Sequence, residues 1–177
     1  MTANSTLRIG TRASRLARWQ ADWVATQLSL LDINIEMVLI TTQGDTAEGP
    51  IENLGAQGVF TKEIQRALLE EKIDLAVHSL KDLPTDPVEG LSLAAVPTRE
   101  SASDVLLTGN GELLVNLPAG CRVGTGSLRR QAQLLYARPD LDVQPIRGNV
   151  ETRISKLDEK HYDAIVLAEA GLVRLEL

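Results

Sequence analysis

Apolar and polar positions along the chain alternate in a strand–helix rhythm that runs through twice. Leu7-Arg8-Ile9-Gly10-Thr11 predicts a short first strand. Ser14 follows as a helix N-cap candidate, because its hydroxyl can accept from an orphan N–H of the first turn. Leu16, Trp19, Trp23, Leu28 and Leu31 then recur at helical spacing, and both tryptophans are expected to pack in the core. Residues 33–40, rich in β-branched side chains, predict the second strand. Residues 41–58 hold four glycines and a proline and read as a long loop, which in a compact domain is functional or mobile as a rule. An amphipathic helix over 60–71 leads into Asp74-Leu75-Ala76-Val77, a buried strand, and residues 91–96 predict another strand that Pro97 ends.

The pattern then restarts. Strands are expected at 104–108, around Arg122-Val123-Gly124, at 142–146 and at 163–168. Helices are expected after Gly126, over 150–157, and in the last residues up to Leu177. Alternation of this kind predicts an α/β protein with mainly parallel sheets, in two lobes of residues 1–100 and 101–177 facing each other across a ligand cleft. No short repeat stands out.

Polar residues gather where the strands should leave their sheets, the edge at which open α/β sheets bind ligands. Four such ends carry Arg12 with Ser14, Ser79-Leu80-Lys81-Asp82, Thr125 with Ser127, Arg129 and Arg130, and Arg147 with Asn149; Arg153 lies a turn or two beyond. Arginine's planar fork matches a carboxylate with two parallel hydrogen bonds and stays charged at any working pH. Five arginines and a lysine around one acid, Asp82, point to a small ligand with several carboxylates or phosphates. Asp82 would be the lone acid there, ionised and able to stabilise a developing cation.

Charge narrows the partner. The formal net charge is −6, but residues 1–119 hold 9 Lys/Arg against 16 Asp/Glu, while residues 120–177 hold 9 against 8. An acidic chain argues against a general nucleic-acid binder, and its arginine-rich second part suits a small anion. With 44% hydrophobic but only 3% aromatic residues, the core must be aliphatic. Gly124-Thr125-Gly126 lacks the spacing of a nucleotide loop. His78, His161 and Cys121 do not approach metal-ligand spacing, so no metal is expected; His78 reads as a structural histidine and Cys121 as a small buried residue. The single cysteine rules out an intramolecular disulfide, and the start of the chain lacks the basic and apolar blocks of a signal peptide. No apolar run reaches membrane-spanning length, and the expectation is a cytoplasmic protein without nucleic-acid or membrane partners.

Four blocks in order, Ile9-Gly10-Thr11-Arg12-Ala13-Ser14, His78-Ser79-Leu80-Lys81-Asp82-Leu83-Pro84-Thr85, Val123-Gly124-Thr125-Gly126-Ser127-Leu128-Arg129-Arg130 and Ile146-Arg147-Gly148-Asn149-Val150, resemble the porphobilinogen deaminase family, also called hydroxymethylbilane synthases. The resemblance implies a transferase of tetrapyrrole and heme biosynthesis that condenses four porphobilinogen units with loss of ammonia. It implies a usually monomeric protein of three domains, the first two like type II periplasmic binding proteins. A dipyrromethane cofactor is joined by a thioether to a cysteine of the third domain. Carried over, Asp82 would be the catalytic carboxylate, while Arg12, Ser14, Lys81, Thr125, Ser127, Arg129, Arg130, Arg147 and Arg153 would bind the acetate and propionate groups of cofactor and substrate.

Two departures change the expectation. Where the family's loop usually reads Gly-Gly-Lys-Gly, this chain has Gly55-Ala56-Gln57-Gly58, so the loop's positive charge is missing. Family members continue for well over a hundred residues beyond the position of Leu177, into the cofactor cysteine and its domain, and Cys121 does not align with that cysteine. The 177 residues alone are therefore expected neither to carry the covalent cofactor nor to turn over. The competing expectation is a non-catalytic two-lobed binding protein for a small polycarboxylate, which would gain nothing from an acid at the centre of its site.

Overall fold

A computed structural model describes residues 6–46 and 58–177. The chain divides into two compact units, Met1–Pro97 and Thr98–Leu177.

In the first unit, β1 (Thr6–Thr11) is the central strand of a three-stranded parallel sheet, flanked by β2 (Asn34–Leu39) and by the two-residue β3 (Leu75–Ala76). A strand with neighbours on both sides has its later residues enclosed, and Ile9, Gly10 and Thr11 are buried. Helix α1 (Arg15–Ser29) follows β1, capped as the sequence predicts: Ser14 Oγ accepts from Ala17 N–H at 3.4 Å. Within the loop after β2 lies one short turn of helix, α2 (Gln43–Thr46). Helix α3 (Lys62–Leu69) turns Ile64 and Ala67 inward onto Ile73, with Val38, Ile40 and Leu68 around them.

The second unit has a four-stranded sheet in the order β4-β7-β5-β6: β4 (Asp104–Thr108), β5 (Arg122–Gly124), β6 (Asp142–Gln144) and β7 (Ala164–Ala168). The last three are parallel, and β4 runs antiparallel to β7 with Asp104 opposite Ala168. Ala164-Ile165-Val166-Leu167 is buried throughout, the continuous apolar run of a strand covered on both faces. Successive residues point to opposite faces. Accordingly Ala164 and Val166 join Val123, Cys121, Leu141 and Leu134 of α4 (Leu128–Ala137) in one core. Ile165 and Leu167 join Ile146, Leu157 of α5 (Val150–Asp158) and Leu172 of α6 (Glu169–Leu175) in the other.

Three expectations need correction. Residues 91–96 form no strand, and Leu93 and Val96 are 62% and 50% exposed. A strand exists only where a neighbour supplies its ladder, and no described strand runs beside this one. Trp19 and Trp23 are 37% and 41% exposed rather than core, because α1 lays only the small Ala21 fully onto its sheet. The third concerns repetition. Arg8-Ile9-Gly10-Thr11 and Arg122-Val123-Gly124-Thr125 are one short motif used twice, each followed by a serine N-cap, Ser14 and Ser127.

The repeat extends to a clip between strands. Arg8 backbone N–H and Nε donate to Asp74 Oδ2 at 2.8 and 3.0 Å, and its Nη2 to Oδ1 at 2.7 Å. Arg122 makes the same three bonds to Asp163, at 2.9, 3.1 and 2.8 Å. Each aspartate immediately precedes a parallel strand, β3 or β7. The hydrogen bonds from Arg8 draw the Asp74 carboxyl from the ordinary 3.8 down to about 2. A depressed folded-state pKa stabilises the fold at pH values above 3.8 and loses that contribution as pH falls through about 2. Asp74→Asn is therefore expected to lower the urea midpoint at pH 6, with the gap from wild type closing between pH 4 and 2 when denaturant curves are measured at each pH.

Candidate functional site

On the first unit, the carboxyl ends of β1, β2 and β3 bring predicted residues together with one that the sequence did not single out. Thr11, fully buried, donates from Oγ1 to Ala17 O at 3.1 Å and ties the strand end to the first turn of α1. The Arg12 guanidinium is gripped by Asp45: Nε donates to Oδ1 at 3.0 Å, and Nη2 pairs with the same oxygen. The guanidinium also lies 4.2 Å from the centre of the Phe60 ring, a cation–π contact. Asp45 accepts further from Thr42 N–H and Oγ1 at 3.0 and 2.8 Å. Burial would push its carboxyl up, but the bonds from Arg12 and Thr42 outweigh this and hold it below the ordinary carboxylate range.

The segment after β3 bends into a single tight turn, Leu80–Asp82, closed by Asp82 N–H donating to Ser79 O at 2.9 Å. Ser79 Oγ donates to Gln20 Oε1 at 3.1 Å, which fastens the turn to α1. His78 is mostly enclosed; burial pushes its imidazole pKa down, Asp82 pulls the other way and Arg12 adds to the depression. Among the described residues, neither Lys81 nor Asp82 makes a side-chain hydrogen bond or ion pair. Asp82 is half-buried and Lys81 exposed.

On the second unit, the carboxyl ends of β5 and β6 lie side by side. Thr125 N–H donates to Gln144 O at 3.0 Å, and Thr125 Oγ1 accepts from Ser127 N–H at 3.2 Å. Ser127 Oγ in turn accepts from Arg130 N–H at 3.4 Å as the cap of α4. Gly126 is required by proximity, since a Cβ there would stand 2.8 Å from Ile146 O, a backbone atom that cannot swing aside. The same point lies 4.0 Å from Arg153 Nη1, so the Arg153 head reaches the β5–α4 turn from α5. Arg153 Nε donates to Gly148 O at 2.8 Å, and Lys156 Nζ to Arg147 O at 3.1 Å, fixing the turn that carries Arg147. Arg129 and Arg130 share Asp104, through Nη2 to Oδ2 at 2.8 Å and Nη2 to Oδ1 at 2.6 Å. Arg130 also donates from Nη1 to Val166 O at 3.2 Å.

Asp82 is thus not the one acid at these strand ends: in the first unit Asp45 holds Arg12, and in the second Asp104 holds Arg129 and Arg130, 33 and 25 residues from Arg12 and Arg129 in sequence. Thr42-x-x-Asp45 has the spacing of a local capping turn, a signal that could have flagged Asp45. Asp104 was hidden by strand direction: only in an antiparallel β4 does the first residue reach the edge where β5, β6 and β7 end. Gln57 lies outside the described residues. No group of three metal-ligating side chains occurs among the described residues, and no described helix is long and apolar enough to cross a membrane.

The family profile described as "Porphobilinogen deaminase, dipyromethane cofactor binding domain" matches residues 7–177. The chain belongs to the porphobilinogen deaminase family. Among curated relatives, the porphobilinogen deaminase of Syntrophotalea carbinolica is 54% identical over 99% of this chain and 56% of its own length. That of Desulforudis audaxviator is 54% identical over 96% of this chain and 56% of its own length. The chain therefore spans about half the length of the curated relatives it matches. In fold it is similar to an ancestral amino-acid-binding protein, a precursor of cyclohexadienyl dehydratase, at a TM-score of 0.50 and 16% identity over 97% of this chain and 74% of the other. The α/β lobes with mostly parallel sheets are those of periplasmic-binding-protein-like folds.

Cys121 stands apart from the strand ends of its own unit. It is 6% exposed, in the core just ahead of β5, with the length of that strand between it and Thr125. Burial pushes its thiol pKa up, away from the reactive thiolate.

Proposed function

We propose that this chain is the substrate- and cofactor-binding part of a porphobilinogen deaminase (hydroxymethylbilane synthase), a transferase that condenses four porphobilinogen units with release of ammonia. Family membership over residues 7–177 supports the reading. The observation that carries it is Asp82, a half-buried carboxylate at a strand end that accepts no side-chain hydrogen bond or ion pair among the described residues, while Asp45 at the same sheet edge is taken by Arg12.

The chemistry follows from what such a carboxylate can meet. A pyrrole offers an N–H donor, and loss of ammonia from the protonated aminomethyl group breaks the C–N bond, sends the electron pair out with nitrogen and leaves the positive charge conjugated with that ring. An ionised Asp82 accepts the N–H and stabilises the cation through the same contact, without giving up or taking a proton. A ligand without donor or positive charge would meet only repulsion there, which disfavours a plain polycarboxylate binder.

The residues present also fit a dipyrromethane, whose pyrrole rings carry acetate and propionate groups. Arg129 has five N–H donors of which two are engaged, by Gln133 and Asp104. Ser14 and Ser127 use their oxygens as caps, and among the described residues their O–H protons have no acceptor, so they can donate to a ligand. Arg12, Ser14, Lys81, Thr125, Ser127, Arg129, Arg130, Arg147 and Arg153 would hold the carboxylates, and the group would supply the pyrrole end on which the product is built. Cys121 is no candidate for its covalent anchor, since it is buried in the core at the opposite end of β5 from Thr125.

Calorimetric titration of porphobilinogen into the chain tests the reading. Binding is expected, weakened roughly tenfold by Lys81→Gln, the loss of one charge-assisted contact. No heat with porphobilinogen at millimolar concentration would sink it.

A further inference from the structure

Adjacent arginines at the head of α4 carry like charges that repel, and each long side chain loses rotamer freedom when it is fixed on a ligand. Asp104 resolves this by giving one oxygen to each. The two arginines are otherwise unlike. Arg130 is 11% exposed and is held a second time by the Val166 carbonyl of the central strand. Arg129 is 61% exposed and, among the described residues, gives only two of its five N–H donors, to Asp104 and Gln133. Asp104 itself is fixed by the antiparallel ladder of β4 on β7, where it stands opposite Ala168 at the sheet's ligand edge.

We propose that Asp104 is a positioning residue: it braces on Arg130 and holds the Arg129 fork ready for a ligand carboxylate. The proposal rests on the porphobilinogen deaminase reading for its ligand, but not for its geometry. A long arginine side chain loses rotamer freedom on binding, and a protein carboxylate that has already restrained it removes part of that loss. Asp104 engages only Nη2 of Arg129, so the restraint leaves the rest of the fork available. The same bonds offset the charge of the pair before ligand arrives.

Two measurements on the whole chain decide it. In nitrogen-15 spectra of the arginine side chains, wild type is expected to show slow guanidinium rotation for Arg129 and Arg130, assigned with R129Q and R130Q, and Asp104→Asn to restore fast rotation. In porphobilinogen titrations, Asp104→Asn is expected to weaken binding about tenfold, Asp104→Glu to recover part of the loss, and Asp104→Asn to cost nothing more when added to Arg129→Gln. Unchanged rotation in Asp104→Asn overturns the proposal. So does a full tenfold cost of Asp104→Asn on the Arg129→Gln background, since that is what a general effect on the fold would give. Absence of binding by wild type would instead refute the porphobilinogen reading, and the spectra would still decide whether Asp104 restrains the pair.

Discussion

Asp82→Asn is expected to lower ammonia release from porphobilinogen by about 10²- to 10⁴-fold in the protein expressed from its own gene, while porphobilinogen binding changes little. The asparagine keeps the size and one acceptor oxygen, so the pyrrole N–H still finds a partner. What is lost is the negative charge at the moment a cation forms, and that appears in the rate rather than in the affinity. A stopped-time assay of ammonia, with calorimetry on the same variant, separates the two. Equal loss in both would assign Asp82 to binding alone, and unchanged turnover would remove it from the chemistry. The tight turn Leu80–Asp82 is closed by backbone bonds and by Ser79 on Gln20, so the variant leaves its supports intact.

Ile165→Ala is expected to cost about 2–5 kcal/mol of folding free energy, read as a lower urea midpoint at unchanged slope. Ile165 has no exposed surface and lies on the central strand β7, opposite Leu107 of β4 and Gly124 of β5. Its side chain belongs to the core with Ile146, Leu157, Leu167 and Leu172, so the hole has walls from several elements and cannot close by moving one. A small domain holds 5–15 kcal/mol in all, so the loss is a large part of the total. A midpoint within experimental error of wild type would show that this core collapses around the missing atoms.

The contrast between β7 and residues 91–96 shows what the sequence could and could not disclose. Both are short apolar runs of strand-forming character. Ala164-Ile165-Val166-Leu167 became a strand because β4 and β5 lie on either side of it. Residues 91–96 have the same local signal and no described neighbour, and hydrogen-bond ladders depend on partners distant in the chain. The Ser14 cap was legible because a cap is a contact three residues long, while Ser127, read only as a ligand residue, proves to be a cap of the same kind. The Thr42-x-x-Asp45 spacing marks a local turn, but nothing near Arg12 or Arg130 in sequence says which acid the fold returns to them. Trp19 and Trp23 mislead in another way. Helical spacing marks a face, but the amount of sheet beneath that face decides whether its residues are covered.

The paired clips, Arg8 on Asp74 and Arg122 on Asp163, lie at the entrances of β3 and β7, while Arg12, Asp82, Arg129 and Arg147 lie at the exits. Each sheet is pinned at one rim and carries the proposed ligand groups at the other. Changes at the exit rim can therefore accumulate without loosening the alignment of the strands. The two units present the same scaffold with different furnishings: Arg-Ala-Ser after one Gly-Thr, Gly-Ser-Leu-Arg-Arg after the other. An arrangement of that kind lets ligand preference drift in one unit while strand register is kept by a handful of atoms on the far side.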